Sequence, residues 1–387
     1  MRLRSALLPW LRRAGMALPA LLLCLLPLAP VRADTFSDYQ PAGSFALPGA
    51  SNAFDALPDG RLVVLVQATV YRETAAGSHV FANLGVLPGA DIPSFGAAFL
   101  RVSPNGATIA VGNNGGGSFS NFQVGVYAVA TLAGSWFTVN HFDGAWFDNR
   151  FLAITAGVFG SPGFVSLLDT ASPDHANPVN PVVVSNIGGA SGGVAFDAGG
   201  NLYTANGFQL GGPSPTGAIR GVTSAAWHAT LTSGVPVNFE LQAIPIVELL
   251  SGSPLVFDAA GDLLAGGGDS SAQATDGNYG GVARASAVAQ AIAGGGAIAP
   301  NDPAKVRKLD PDPAAGSFYA LAANRTRSEI YLVPAGSTTA FVYRAAAPAV
   351  VAALSPARGA GLALSLGLFG VLLARPRRRS APARAAA

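Results

Sequence analysis

From residue 54 to residue 322 the chain repeats one pattern: an apolar run, a tight polar turn and a second apolar run. The instances are FDALPDGRLVVL (54–65), FLRVSPNGATIAVG (99–112), FDGAWFDNRFLAI (142–154), VAFDAGGNLYTANG (194–207), LVFDAAGDLLAGGG (255–268) and LDPDPAAGSFYALA (309–322). The turns have a steric basis. Pro presets φ at the first corner, and Gly or Asn accepts the positive φ that follows. The flanks are rich in Val, Leu, Phe and Tyr, as half-buried strands require. Each instance therefore predicts a strand–turn–strand unit. The marker residues Gly60, Gly106, Asn149, Gly200, Gly261 and Gly316 are 46, 43, 51, 61 and 55 residues apart. A strand repeat with a period near fifty predicts the four-stranded blades of a β-propeller. The expected fold class is thus all-β, with about six blades and room for a seventh. A pair of β-sandwiches and a β-helix are the runners-up, although the spacings are too long for hexapeptide coils.

Two consecutive units match at an offset of 61. Phe196, Asp197, Gly200 and Leu202 correspond to Phe257, Asp258, Gly261 and Leu263; Trp227, Leu231 and Gly234 correspond to Val288, Ile292 and Gly295. The second half of each unit is Ala-rich and ends in Gly, which predicts a short helix stopped by a Gly C-cap. Trp227 and Leu231, four apart, are expected on its buried face. Phe45-Ala46-Leu47 is expected to join the last blade beside Ile330–Val333 and Phe341–Tyr343, which would close the ring and leave no free sheet edge. The segment GVAFDAGGNLYTANG resembles the strand–turn–strand core of NHL-type and related β-propellers. That resemblance implies architecture and says little of activity, because propellers host many functions.

The two ends carry a different pattern. Residues 1–33 read as a signal peptide: Arg2, Arg4, Arg12 and Arg13 form a positive front, Met16–Val31 is apolar, and Val31-Arg32-Ala33 places cleavage after Ala33. Cys24 follows the bulky Leu23, against a lipoprotein signal. Residues 34–345 make the propeller domain and 346–358 a linker. Residues 359–374 are uncharged and apolar, about 24 Å long as a helix and a little short of a bilayer core. Arg358 and Arg375 extend the reach to the head groups. Arg377, Arg378 and Arg379 place residues 375–387 on the cytoplasmic side. This tail resembles the PEP-CTERM type of bacterial sorting signal, with Ser355-Pro356-Ala357-Arg358 where the defining Pro-Glu-Pro would stand. The resemblance implies a sorting protease as partner and passage to the outer surface, often in bacteria that make exopolysaccharide.

Charge and cysteine change the picture once the ends are set apart. The chain has 23 basic and 21 acidic residues, but five arginines lie in 1–33 and six in 358–387. The body keeps 12 basic against 21 acidic residues, a net of −9. An acidic surface repels phosphate backbones, which argues against nucleic acid as a partner. The one cysteine, Cys24, lies in the signal segment, so the body has neither disulfide nor thiolate chemistry. Glycine is abundant, at 48 residues, and low complexity is expected only locally, over 266–279 and 344–357.

Candidate chemistry is sparse. His79, His141, His175 and His228 share no HxH or HExxH spacing and read as packing or surface residues. No P-loop occurs, and GNNGGGSFSN (112–121) reads as a loop. Asp269, Asp276 and Asn278 carry hard oxygens suited to Ca²⁺, without the D-x-D-x-D-G run of a dedicated loop. Apart from that ion no cofactor is expected. Asp55, Asp143, Asp197 and Asp258 recur in four units, as turn caps or as a ring of carboxylates at the tunnel mouth. The sequence therefore predicts an exported envelope or surface protein that binds a polysaccharide or protein, or serves a structural role. A metal-dependent propeller enzyme, lactonase-like or a polysaccharide lyase, is the alternative.

Overall fold

The computed structural model describes residues 39–345, apart from 52, 95, 117–119, 158–161, 189, 209–218, 249–251, 267–280, 310–318 and 335. Among these residues the strands form six sheets, each a blade whose strands run A to D from the axis outward, with a fifth short strand, Val237–Asn238, added parallel to strand D of blade 3. The innermost A strands are Ala53–Ala56, Phe99–Val102, Asp143–Trp146, Ala190–Phe196, Leu255–Phe257 and Tyr319–Asn324, for blades 1 to 6. The fold is a six-bladed propeller, and a seventh blade does not form among the described residues. Tyr39–Ala46 is the outermost strand of blade 6, antiparallel to Thr339–Ala345, with Phe45 opposite Ala340. The start of the described chain thus closes the ring, as the sequence predicts.

The blades have no private cores. Among the described residues the buried apolar side chains fall into six clusters, and each joins the facing surfaces of two successive blades. Strand B of blade 1, Leu62–Val66, shows why. Leu62 and Val64 pack toward blade 6, while Val63 and Leu65 pack toward blade 2. Successive strand side chains point to opposite faces. Both faces are buried here, so the sequence reads LVVLV without polar alternation. Burying each such side chain contributes about 1.5–3 kcal/mol, and only the closed ring realises it on both faces.

Four of the A–B turns obey one rule. The N–H of Gly60, Gly106, Gly200 or Gly261 donates to the carbonyl three residues earlier. Gly200 and Gly261 take φ of 74° and 88°, the left-handed region that glycine enters without steric cost. Blade 6 departs from the predicted marker. Its A–B turn runs between the closing pair Asn324 and Glu329. Gly316 lies ahead of this strand and outside the described residues. The turn sequence has neither Gly nor Pro; Ser328 takes the positive φ of 54°, and the Asn324 side chain accepts from the Arg327 N–H.

The repeated helical insertion is present between strands C and D of blades 4 and 5. In blade 4, helix α1 (Ser224–Ser233) starts at Thr223, whose side chain accepts from the Ala226 N–H, and stops at Gly234 in the left-handed conformation. A second short helix, α2 (Phe239–Gln242), follows. The blade 5 counterpart is α3 (Ala285–Gln290), continued by a wider turn over Ala291–Gly295. One expectation fails: Trp227 is buried, but Leu231 is 45% exposed. Thr230, three residues from Trp227, is the buried partner and donates to the Trp227 carbonyl. Among the described residues no helix is long and apolar enough to cross a membrane. The apolar stretch 359–374 lies outside them.

Candidate functional site

Strand register shows which residues are equivalent around the axis. The last A–B pair of each blade begins at Ala56, Val102, Trp146, Phe196, Phe257 and Asn324. The residues just before these are Asp55, Arg101, Ala145, Ala195, Val256 and Ala323. All six line one cavity of about 310 Å³ at the A–B end of the axis. This register corrects the alignment of the four aspartates. Asp197 and Asp258 do stand in like positions, one residue past the strand. Asp55 lies two residues earlier in its unit and Asp143 four. The turns are equally long, with the closing pairs Ala56–Leu62, Trp146–Leu152, Phe196–Leu202 and Phe257–Leu263 each six residues apart; strand A instead runs on past Asp55 and Asp143, which the shared Phe-Asp spelling conceals.

Asp197 and Asp258 cap their turns. Asp197 accepts from the N–H groups of Gly199 and Asn201, from the Asn201 amide and from the Tyr203 hydroxyl. Asp258 accepts from Ala260 and Asp262 N–H, and from the Tyr39 hydroxyl at 2.5 Å, which ties the outermost strand of blade 6 to blade 5. The ring of four carboxylates does not form.

Asp55 and Asp143 instead reach the axis. The Asp143 carboxylate takes the Arg101 guanidinium at 2.6 Å, its own neighbour's N–H at Gly144, the Val194 N–H at 3.3 Å and the Leu255 N–H. One carboxylate therefore holds blades 2, 3, 4 and 5. A side chain that touches four blades has to lie on the axis, and Arg101 meets it there. Arg101 also donates from Nε to the Gly144 carbonyl and from Nη1 to its neighbour Leu100. The Trp146 indole in turn donates to the Arg101 carbonyl. Burial pushes the Asp143 carboxyl up, opposed by Arg101 and those three N–H groups.

Around this pair the mouth has two unlike halves. Blades 6, 1 and 2 supply the charged and hydroxyl side chains, Arg325, Thr326, Asp55, Arg101 and Ser103, among apolar ones such as Leu57, Pro58 and Ala323; blades 3, 4 and 5 supply only Ala145, Trp146, Ala195, Phe196, Leu255, Val256 and Phe257. Asp55 accepts from the N–H of Ala56 through one oxygen and from that of Val102 through the other. Burial raises its pKa, and Arg101, those N–H groups and Arg325 oppose the rise. Arg325 stays exposed, and its Nε donates to the Phe257 carbonyl at 3.1 Å. This carries the guanidinium from blade 6 toward the apolar half. Arg101 had a sequence signal, a charge inside the apolar strand FLRV. Arg325 had none, because its turn lacks the Gly or Asn that marks the others.

The histidines are scattered, as their spacing predicts. His141 is buried; its Nδ1 donates to the Val139 carbonyl, its Nε2 accepts from the Asn114 N–H, and burial lowers its pKa to about 4. His79 sits on Glu73 and stacks on Phe45, His175 packs on Phe137, and His228 stacks on Trp227. Among the described residues no three His, Cys, Asp or Glu side chains converge as a metal site. Asp269, Asp276 and Asn278 lie outside the described residues. So do the cleavage position Ala33 and the tail residues Pro356, Arg375, Arg377, Arg378 and Arg379. In GNNGGGSFSN, the buried Asn113 accepts from the Gly115 and Gln123 N–H groups, so its side chain braces the loop.

No protein-family model matches the chain, and no curated protein matches it in sequence. Solved structures do resemble it. The PQQ-bound form of aldose sugar dehydrogenase from Streptomyces coelicolor is 15% identical, with a TM-score of 0.51 over 79% of this chain and 97% of that one. A candidate gluconolactonase is 14% identical, with a TM-score of 0.46 over 81% and 96%. A structural-genomics protein of unknown function from Bacteroides thetaiotaomicron is 10% identical, with a TM-score of 0.47 over 79% and 72%. At these identities the likeness is one of fold.

Proposed function

We propose that this chain is an exported bacterial envelope protein whose propeller binds a small solute at the A–B mouth of its axis. Export is supported by the three-part pattern of 1–33. Attachment to a membrane, at least for a time, is supported by the apolar stretch 359–374 and the arginines that follow it. The observation that carries the binding role is the mouth itself: a cavity of about 310 Å³ on the axis with lining from all six blades. That volume lies at the lower end of small-molecule sites, roughly 300–1,000 Å³. The catalytic alternative needs carboxylates free to act on a substrate or metal. The two that reach the axis are engaged, Asp143 by Arg101 and three N–H groups, Asp55 by two.

Two measurements test this reading. Cells carrying the full chain or a chain that ends at Ser355 are fractionated; sorting through the tail predicts loss of the truncated form from the membrane fraction, and equal distribution of both refutes it. A small-solute library is then screened by thermal shift against the full chain and its Arg325→Gln variant. Binding at the mouth predicts hits that stabilise the parent and not the variant; hits that stabilise both alike place the site elsewhere.

A further inference from the structure

Resting on the solute-binding reading, we infer that the mouth selects a small organic anion with one apolar face, its charged head on Arg325 and its apolar body against blades 3 to 5. The argument begins with what the charged groups already do. Arg101 and Asp143 form a buried pair on the axis, with side chains 9% and 4% exposed. Their charges offset one another. Asp55 spends each oxygen on a backbone N–H in the wall. A ligand cation would have to compete for those oxygens and would also meet Arg325. An anion also passes Asp55, but that carboxylate is held in the wall by two N–H groups, whereas Arg325 stands exposed. Arg325 is exposed at the rim, and its Nε bond to the Phe257 carbonyl brings the guanidinium to the boundary between the halves. A planar guanidinium pairs with a carboxylate or sulfonate through directional, charge-assisted bonds.

The apolar half decides the rest of the ligand. Ala145, Ala195 and Val256 occupy three successive ring positions, with Trp146, Phe196 and Phe257 beside them. A fully hydroxylated solute would lose hydrogen bonds to water along this wall and regain none. An apolar face gains about 25 cal/mol for each Å² it removes from water. Size and chemistry together specify a compact anion, such as an aromatic or branched carboxylate, rather than a polyol.

The probes are benzoate, benzenesulfonate, benzyl alcohol, benzylamine and acetate, titrated calorimetrically into the purified full chain in detergent. Benzoate and benzenesulfonate are expected to bind at least tenfold more tightly than the other three. Arg325→Gln, at an exposed position, is expected to weaken both anions at least tenfold while leaving the melting temperature unchanged. Ala195→Asp, which puts a charge on the apolar wall, is expected to weaken benzoate as well. Equal binding of benzyl alcohol or benzylamine overturns the inference, as does anion binding indifferent to Arg325→Gln, or no heat from any probe. If a polyol from the library screen binds instead and loses its affinity in Arg325→Gln, the anion class falls and the solute-binding reading stands.

Discussion

Asp143 on the axis and Glu329 at the ring closure are both buried carboxylates beside arginine, yet their surroundings act on them in opposite directions. Asp143 has one guanidinium, and its remaining partners are backbone N–H groups of three blades. Burial dominates and its pKa rises. Glu329, in strand B of blade 6, takes Arg327 at 2.6 Å, Arg344 at 2.9 Å and the Tyr331 hydroxyl at 2.6 Å. Burial alone would push Glu329 up as well, but these hydrogen bonds outweigh it and bring the pKa down to about 2. The difference lies in reach. Glu329 bonds side chains of its own blade, whereas Asp143 bonds four blades at once. A carboxylate at the axis therefore fixes the arrangement of the ring, and one at the closure fixes a local patch.

The largest effect is expected from Asp143→Ala. It leaves Arg101 buried without its counter-charge and three N–H groups without an acceptor. Removing one partner of a buried pair costs about 3–5 kcal/mol. Denaturant unfolding should show that loss in full. Arg101→Met combined with Asp143→Leu removes both charges and should recover most of it. A double variant no more stable than Asp143→Ala would show that the axis depends on the N–H bonds rather than on the charge pair.

Glu329→Gln sharpens the contrast at the closure. It keeps the shape but weakens charge-assisted bonds to two arginines, at a cost of about 1.5–3 kcal/mol. The pH dependence carries the sign. The folded pKa, about 2, lies below the ordinary 4.5, so the native state binds fewer protons than the unfolded state between those values. The contribution of Glu329 is complete above about pH 4.5 and disappears as pH falls toward 2. Stability measured from pH 5 to pH 2.5 should fall less steeply in Glu329→Gln than in the parent. Parallel curves would remove Glu329 as the source of the acid sensitivity.

The same contrast explains what the sequence disclosed. Blades were legible because their signals are local: PDG, PNG and AGGN turns, apolar runs, and the offset of 61 between blades 4 and 5. The closure by Phe45 and Ala46 was legible because an unpaired last blade needs a strand. The mouth was not. Its membership depends on register counted from the closing pair, and residue type does not recur at that register, so Asp55 and Arg101 share a ring position without sharing a motif. Leu231 was misplaced for a related reason. Helical spacing puts residues three and four apart on one flank, and only the packing against blade 3 selects Thr230 over Leu231.

The smallest effect tests the turn caps, the two aspartates that do share a motif. In Asp197→Ala the lost bonds come from Gly199, Asn201 and Tyr203, all within six residues. Water reaches the Gly199 N–H, which is exposed, so its loss is partly made good. Loss of a local cap of this kind costs about 1 kcal/mol. Asp258→Ala removes the equivalent turn bonds and also the acceptor of the Tyr39 hydroxyl, 219 residues away in sequence. Tyr39 is 2% exposed, so its hydroxyl is left in a dry setting. An orphaned buried hydroxyl adds about 1–3 kcal/mol. Asp258→Ala should therefore exceed Asp197→Ala by that margin, and Tyr39→Phe made in the Asp258→Ala background should return most of it. If the two alanine variants unfold at the same denaturant concentration, the Tyr39 bond contributes nothing to ring closure. The reach of a carboxylate across blades would then cease to predict its contribution, and the contrast between Asp143 and Glu329 would need another cause.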